Sequence, residues 1–170
     1  MRAVLYLLTR LSDEDVEWIA EAGKTRSLPK GTTISLQGGF DEALTFILDG
    51  VISITIDEMG DATHLTRGDM LGDMVRAGER SLSTNAKVVD PCVVLSIDRA
   101  VLNEKLTKDP AFAERLVAAF VMLKSATLSD NRLDDINRSP AQTKLRTELM
   151  ENVHLAGARF SRLLKKLAVV

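Results

Sequence analysis

The chain has 170 residues, of which 45% are hydrophobic and 27% charged, and its formal net charge is −2. That is enough for one domain with a real core plus an appendage, and the bulk charge does not mark the whole chain as a polyanion binder. One cysteine, Cys92, rules out a disulfide framework and a self-contained iron–sulfur site.

The N-terminal run MRAVLYLLTRLSDEDVEW has a short apolar patch but no small-residue cleavage site. No apolar run approaches the ~20 residues of a membrane span, so the expected location is cytoplasmic with no membrane partner. Leu5 to Leu11 reads as a short helix. Ser12 caps a second, with Asp13, Glu14 and Asp15 in its first turn. Val16, Ile19 and Ala20 give that helix an apolar stripe, Gly23 ends it, and Trp18 beside the stripe reads as packing.

From Thr25 to Ile97 the period changes to two. Thr32–Leu36, Leu44–Leu48, Val51–Ile56 and Val93–Ile97 read as strands. Pro29-Lys30-Gly31, Gly38-Gly39, Asp49-Gly50, Met59-Gly60-Asp61, Arg67-Gly68-Asp69 and Asp90-Pro91 read as turns between them. Many short strands at close spacing point to a roll or barrel. Arg99 to Leu106 is a short helix. Asp109 then caps a long one with Pro110 at its first position. Its stripe of Phe112/Ala113, Leu116, Phe120, Leu123 and Thr127 can bury against the roll or against a second copy of itself.

Leu128 to Arg138 is polar and charged and reads as the end of the long helix and a hinge. A helix starts at Ser139-Pro140 and runs through Met150. The last stretch, Ala158 to Val170, is basic and amphipathic: Phe160, Leu163, Leu164 and Leu167 on one face, Arg159, Arg162, Lys165 and Lys166 on the other. Residues 138–170 carry seven Lys/Arg against two Glu, net +5, which leaves −7 on the rest. Such a helix suits DNA, a membrane surface or a partner, or is a solvated face.

The stretch Gly68 to Ala86, GDMLGDMVRAGERSLSTNA, carries the densest chemistry. Gly68, Gly72 and Gly78 let the backbone approach a ligand, and turn N–H groups form an anion-binding concavity. The Arg80 guanidinium can fork onto two phosphate oxygens, the Ser81 hydroxyl can donate to a third, and Asp73 can accept from a sugar hydroxyl. Either this is a charged loop between strands or it holds a sugar phosphate. Catalysis is not expected. His64 and His154 are the only histidines, no HExxH, His/Cys cluster or GxSxG is present, and no base completes Ser81, Ser83 and Asp73. No metal or cofactor is expected.

In order, Gly72-Asp73, Arg80-Ser81 and Ala86 resemble the phosphate-binding cassette of the cyclic nucleotide-binding domain in its Crp–Fnr (catabolite activator) form. Leu28-Pro29-Lys30-Gly31, Ile34, Leu36-Gln37-Gly38, Leu44 and Phe46-Ile47-Leu48-Asp49-Gly50 resemble its early strands, and the likeness spans most of residues 5–130. The resemblance implies an α+β fold: an antiparallel β-roll (double-stranded β-helix or jelly-roll) sensor domain with N-terminal helices and a long C-terminal dimerisation helix. The implied division is 1–108 for the roll with its flanking helices, 109–130 for the dimerisation helix, and 131–170 for hinge and tail. It implies a cyclic nucleotide ligand, cyclic AMP first. Gly72 and Met74 would offer amides, Asp73 would accept from the ribose, Arg80 and Ser81 would hold the phosphate, and Thr127 would touch the base. It implies a homodimer through residues 110–128 and a transcription regulator. Two departures stand out: Asp73 replaces a Glu, and the segment from Asp73 to Arg80 is shorter than the family's. They support a rival reading, a dimeric interaction module that keeps the fold but has lost nucleotide and specific DNA binding. Arg-Leu-Leu-Lys-Lys-Leu is similar to the end of the family's recognition helix. Residues 138–170 are too few for the whole winged domain, so the tail is either a truncated helix-turn-helix or something else. Weak, sequence-blind DNA binding is the expectation.

Overall fold

The computed structural model describes residues 3–35, 42–56, 62–72, 84–130 and 140–169. Helices α1 (Ala3–Arg10) and α2 (Asp13–Ala22) open the chain. Ser12 caps α2 as its sequence predicts, and it does so reciprocally. Ser12 Oγ accepts from the Asp15 N–H at 3.2 Å while Asp15 Oδ2 accepts from the Ser12 N–H at 2.8 Å. Asp15 is also a tertiary anchor. Arg115, on the long helix, donates Nε to Oδ2 at 2.7 Å and a terminal nitrogen to Oδ1 at 2.8 Å.

The Asp15 side chain is 4% exposed and that of Arg115 35%. Burial alone would raise the Asp15 carboxyl. The Arg115 guanidinium and the Ser12 N–H and hydroxyl outweigh it and hold the group below its ordinary 3.8. A depressed folded pKa contributes stability above the unfolded value, and that contribution is lost as pH falls through the folded value. Asp15→Asn should therefore cost about 2 kcal/mol at neutral pH. The gap between parent and variant in urea unfolding should begin to close near pH 4 and shrink further below it. A gap as wide in acid as at neutral pH would show that the charge of Asp15 is not what matters.

Six strands follow: β1 (Lys24–Leu28), β2 (Thr33–Ser35), β3 (Glu42–Ile56), β4 (Ala62–Thr66), β5 (Met70–Leu71) and β6 (Thr84–Asp98). They form one antiparallel sheet of order β1-β6-β3-β4, with β2 on β6 and β5 on β3. The antiparallel β-roll is thus present. Its spine is the pair of long strands β3 and β6, and the register shifts where Asp49 and Val51 face Val93 and Asp90. Asp49-Gly50 and Asp90-Pro91, expected as turns, are instead the two sides of a bend in continuous strands. Gly50 has φ +89°, and a Cβ there would lie 2.2 Å from the Pro91 carbonyl oxygen and 2.7 Å from Cys92 Cα. β1 and the first half of β6 were not among the expected strands. The β1 sequence, KTRSL, is exposed over most of its length and shows no apolar alternation.

Alternation along the spine builds two cores. Leu44, Phe46, Leu48, Leu95 and Ile97 face the helices. Ile47, Ile52, Ala86, Val88, Cys92 and Val94 face the interior of the roll with Ile34 and Leu71. After β6 come α3 (Arg99–Lys108), α4 (Pro110–Asp130) and α5 (Pro140–Lys166). Asp109 caps α4 as expected, with Oδ1 accepting from the Phe112 N–H at 2.9 Å. Trp18 packs edge-on against Phe112 with ring centroids 5.2 Å apart, the packing role expected of it.

Two points about the helices follow from their packing. The α4 stripe of Phe112, Leu116, Phe120 and Leu123 is buried inside this chain, together with Ala119 and Met122. Of the two uses that its spacing allows, burial within the chain is the one described for these four residues. The apolar side chains α4 leaves outside are Val117, 56% exposed, and Val121, 57% exposed, one turn apart. Second, the tail is one helix, not two. It continues through Gly157, where an added Cβ would meet nothing within 4 Å. It docks on α1 and α2 with Ala156 and Leu163 fully buried, and Phe160, Leu164 and Leu167 packed beside them.

Candidate functional site

The glycine-rich stretch enters from a tightly pinned turn. Asp69 Oδ2 accepts from the Thr66 N–H at 2.9 Å, and the Asp69 N–H donates to the Thr66 carbonyl at 2.9 Å. Gly68, at φ +87°, donates to the Ile47 carbonyl at 2.8 Å, and its own carbonyl accepts from the Val4 N–H of α1 at 2.9 Å. β5 then pairs with Thr45 and Phe46 of β3. Gly72 follows, buried and at φ +132°, a conformation that costs other residues strain.

The stretch leaves through the start of β6. There Ala86 is completely buried and opposes Ile34 of β2 on one side and Ile54 of β3 on the other. Both ends are therefore anchored on β3, and the interior between them is lined by Ile34, Ile52, Leu71 and Val88, with Ile54 and Leu65 at its margin. Such a lining suits the apolar face of a base and sugar, with polar recognition left to the stretch itself. Of the expected phosphate group, Gly72 is placed. Asp73, Met74, Arg80 and Ser81 lie outside the described residues. The backbone of Thr127 lies near the end of α4, and its side chain is likewise outside what is described.

The expected basic face is brought together, but it is not free. Arg159 Nε donates to Asp13 Oδ1 at 2.7 Å and another of its nitrogens to the Leu8 carbonyl at 2.8 Å. Arg162 reaches Asp13 Oδ2 at 3.2 Å. Lys166 pairs with Glu17, and with Glu21 at 3.2 Å. Lys165 is exposed. Hydrogen bonds from Arg159 and Arg162 pull the Asp13 carboxyl down, and Glu17 and Glu21 push the Lys166 ammonium up. Nearer the start of the helix, Arg10 of α1 pairs with Glu148 at 2.6 Å. The acidic ridge Asp13, Glu17 and Glu21, which holds these cations, is a feature the sequence reading passed over. Its signal was there: three acids at i, i+4 and i+8 on one helix, and cations at 159, 162 and 166 on another.

His64 lies exposed in β4 opposite Ser53. Among the described residues no three His, Cys, Asp or Glu side chains gather to hold a metal ion. None of the described helices is long and apolar enough to cross a membrane. Burial pushes the Cys92 thiol up, and its Sγ donates to the Asp90 carbonyl at 3.0 Å, so it sits in the roll as a small apolar group.

Residues 25–109 match the cyclic nucleotide-binding domain family. No curated protein matches the sequence. The fold is similar to the N-terminal domain of a transcriptional regulator from Streptomyces coelicolor A3(2), at 18% identity and a TM-score of 0.57, covering 80% of this chain and 99% of that one. It is also similar to the Thermus thermophilus catabolite activator protein, at 20% identity and a TM-score of 0.55, covering 96% of this chain and 86% of that one. At these identities the likeness is one of fold.

Proposed function

The chain belongs to the cyclic nucleotide-binding domain family, and from that premise we propose that it is the sensor of a Crp–Fnr-like regulator, with cyclic AMP as ligand. The observation that carries the reading is the built frame around Gly72–Ala86. The family match runs through it, β5 and the start of β6 fix its two ends on β3, and the interior they enclose is apolar. In this reading Arg80 forks onto the cyclic phosphate and Ser81 donates to it. Amides at Gly72 and Met74 add donors, Asp73 accepts from the ribose hydroxyl, and Thr127 touches the base. Ligand biases the arrangement of α4, and residues 130–137 relay the change to the tail. A calorimetric titration with cyclic AMP and cyclic GMP tests the assignment. Silence toward both nucleotides would favour the interaction module, to which Asp73 and the short segment before Arg80 already point.

A homodimer through residues 110–128 is part of the same reading, carried by another face of α4 than the sequence stripe. Val117 and Val121 are the exposed apolar pair there. Val117→Glu with Val121→Glu should weaken association by about tenfold or more, because like charges would be desolvated against each other across the two-fold. Light scattering at micromolar concentration checks this. A parent that is monomeric there, or a variant that remains dimeric, removes the dimer from the account.

The tail adds weak DNA binding through phosphates at most. Arg159, Arg162 and Lys166 already have acidic partners, so their use on DNA requires an exchange.

A further inference from the structure

The contact between α2 and α5 pairs two charged ridges in register. Asp13, Glu17 and Glu21 follow one another at intervals of four residues along α2, and Arg159, Arg162 and Lys166 at three and four along α5. Moving down both helices together, Asp13 takes Arg159 and Arg162, then Glu17 and Glu21 take Lys166. Docking of the tail does not require this ladder alone, since Ala156 and Leu163 bury an apolar seam beside it. Its far end lies toward solvent, with the Glu17 and Glu21 side chains 45% and 70% exposed, whereas Arg159 is 11% exposed and also held by the Leu8 carbonyl, so Arg162 and Lys166 are the cations an exchange can release. Ion pairs so placed are individually weak and screened by salt, so a stronger anion can replace them.

The cations stand about 4.5 and 6 Å apart along the helix axis. That is the scale of successive phosphates on a nucleic-acid strand, where Arg and Lys contacts position a protein without reading sequence. We propose that the α2 ridge is an autoinhibitory acid ladder, occupying the tail cations that would otherwise meet the phosphates of duplex DNA, so that DNA binds by displacing Asp13, Glu17 and Glu21. This rests on the reading of the tail as a weak DNA-binding element and is independent of the nucleotide assignment.

The test uses the full chain and a fluorescein-labelled random-sequence duplex, followed by anisotropy at several salt concentrations. Glu17→Gln with Glu21→Gln frees Lys166 at exposed positions. Asp90→Asn with Glu114→Gln makes the same change of net charge away from the ladder. The ladder variant should bind several-fold more tightly than this control, with a log–log salt slope steeper by about one, the signature of one added phosphate contact. Adding Lys166→Gln should abolish that gain, while Lys166→Gln in the parent should leave DNA affinity unchanged. Equal gains in ladder and control variants would reduce the effect to net charge and overturn the proposal. So would a loss of affinity from Lys166→Gln in the parent, which shows Lys166 already on DNA. Absence of DNA binding by every variant would remove the DNA reading itself. A gain on anionic phosphatidylserine vesicles without one on DNA would assign the cations to a different partner. Circular dichroism identifies a variant that fails to fold, and the parent with and without Lys166 still decides the case.

Discussion

Gly50→Ala is expected to destabilise the protein by about 3 kcal/mol or more, while Gly31→Ala costs only about 1 kcal/mol. The two glycines have almost the same backbone, φ +89° at Gly50 and φ +91° at Gly31, so the strain of placing a Cβ at positive φ is common to both. What differs is the surroundings. Nothing lies within 4 Å of a Cβ at Gly31, whereas at Gly50 it meets the Pro91 carbonyl at 2.2 Å, Cys92 Sγ at 2.6 Å and Cys92 Cα at 2.7 Å. Two of those three atoms are backbone and cannot rotate away. They also belong to the bend that lets β3 and β6 serve both halves of the roll. Relief would have to separate the strands at the point that sets their register. Urea unfolding of the two variants checks this, and equal costs would show that the crossing at Gly50 is loose.

Gly50 also marks where sequence reading stops. Asp49-Gly50 and Asp90-Pro91 carry turn chemistry, and locally they are bends. Whether a bend reverses the chain or only kinks a strand depends on the opposite strand forty residues away, which no local pattern reports. Signals that close within one turn of chain read correctly. Ser12 and Asp109 cap their helices as the sequence predicts, and the N–H groups they accept from, at Asp15 and Phe112, lie three residues on.

The helix stripes were legible as stripes, but their partners were not. Phe112, Leu116, Phe120 and Leu123 had to bury against something, and within the chain the helix that carries them packs on α1 and α3, with Trp18 of α2 on Phe112. The basic residues of the tail were legible as a cationic row. Their docking on Asp13, Glu17 and Glu21 joins positions some 145 residues apart and depends on the fold of everything between. The cassette is the reverse case. Its residue types and order were the clearest functional signal in the chain, and the structure contributes the frame at Gly72 and Ala86 that holds its ends.

Arg80→Ala is expected to weaken nucleotide binding by about 3 kcal/mol, on the order of a hundredfold in Kd, without altering the fold. A cyclic phosphate bound as proposed would leave water against the apolar interior of the roll, and its charge would then depend on the fork of a guanidinium. In the proposed arrangement Ser81 and backbone amides would supply hydrogen bonds but no compensating charge. The loss should therefore appear in affinity and leave the unfolding midpoint within error of the parent. Calorimetric titration of the parent and of Arg80→Ala with cyclic AMP and cyclic GMP is the direct test. The account predicts one nucleotide per chain in the parent, cyclic AMP tighter than cyclic GMP, and near-complete loss in the variant. No heat from either nucleotide in the parent, or equal affinity in parent and variant, would contradict it.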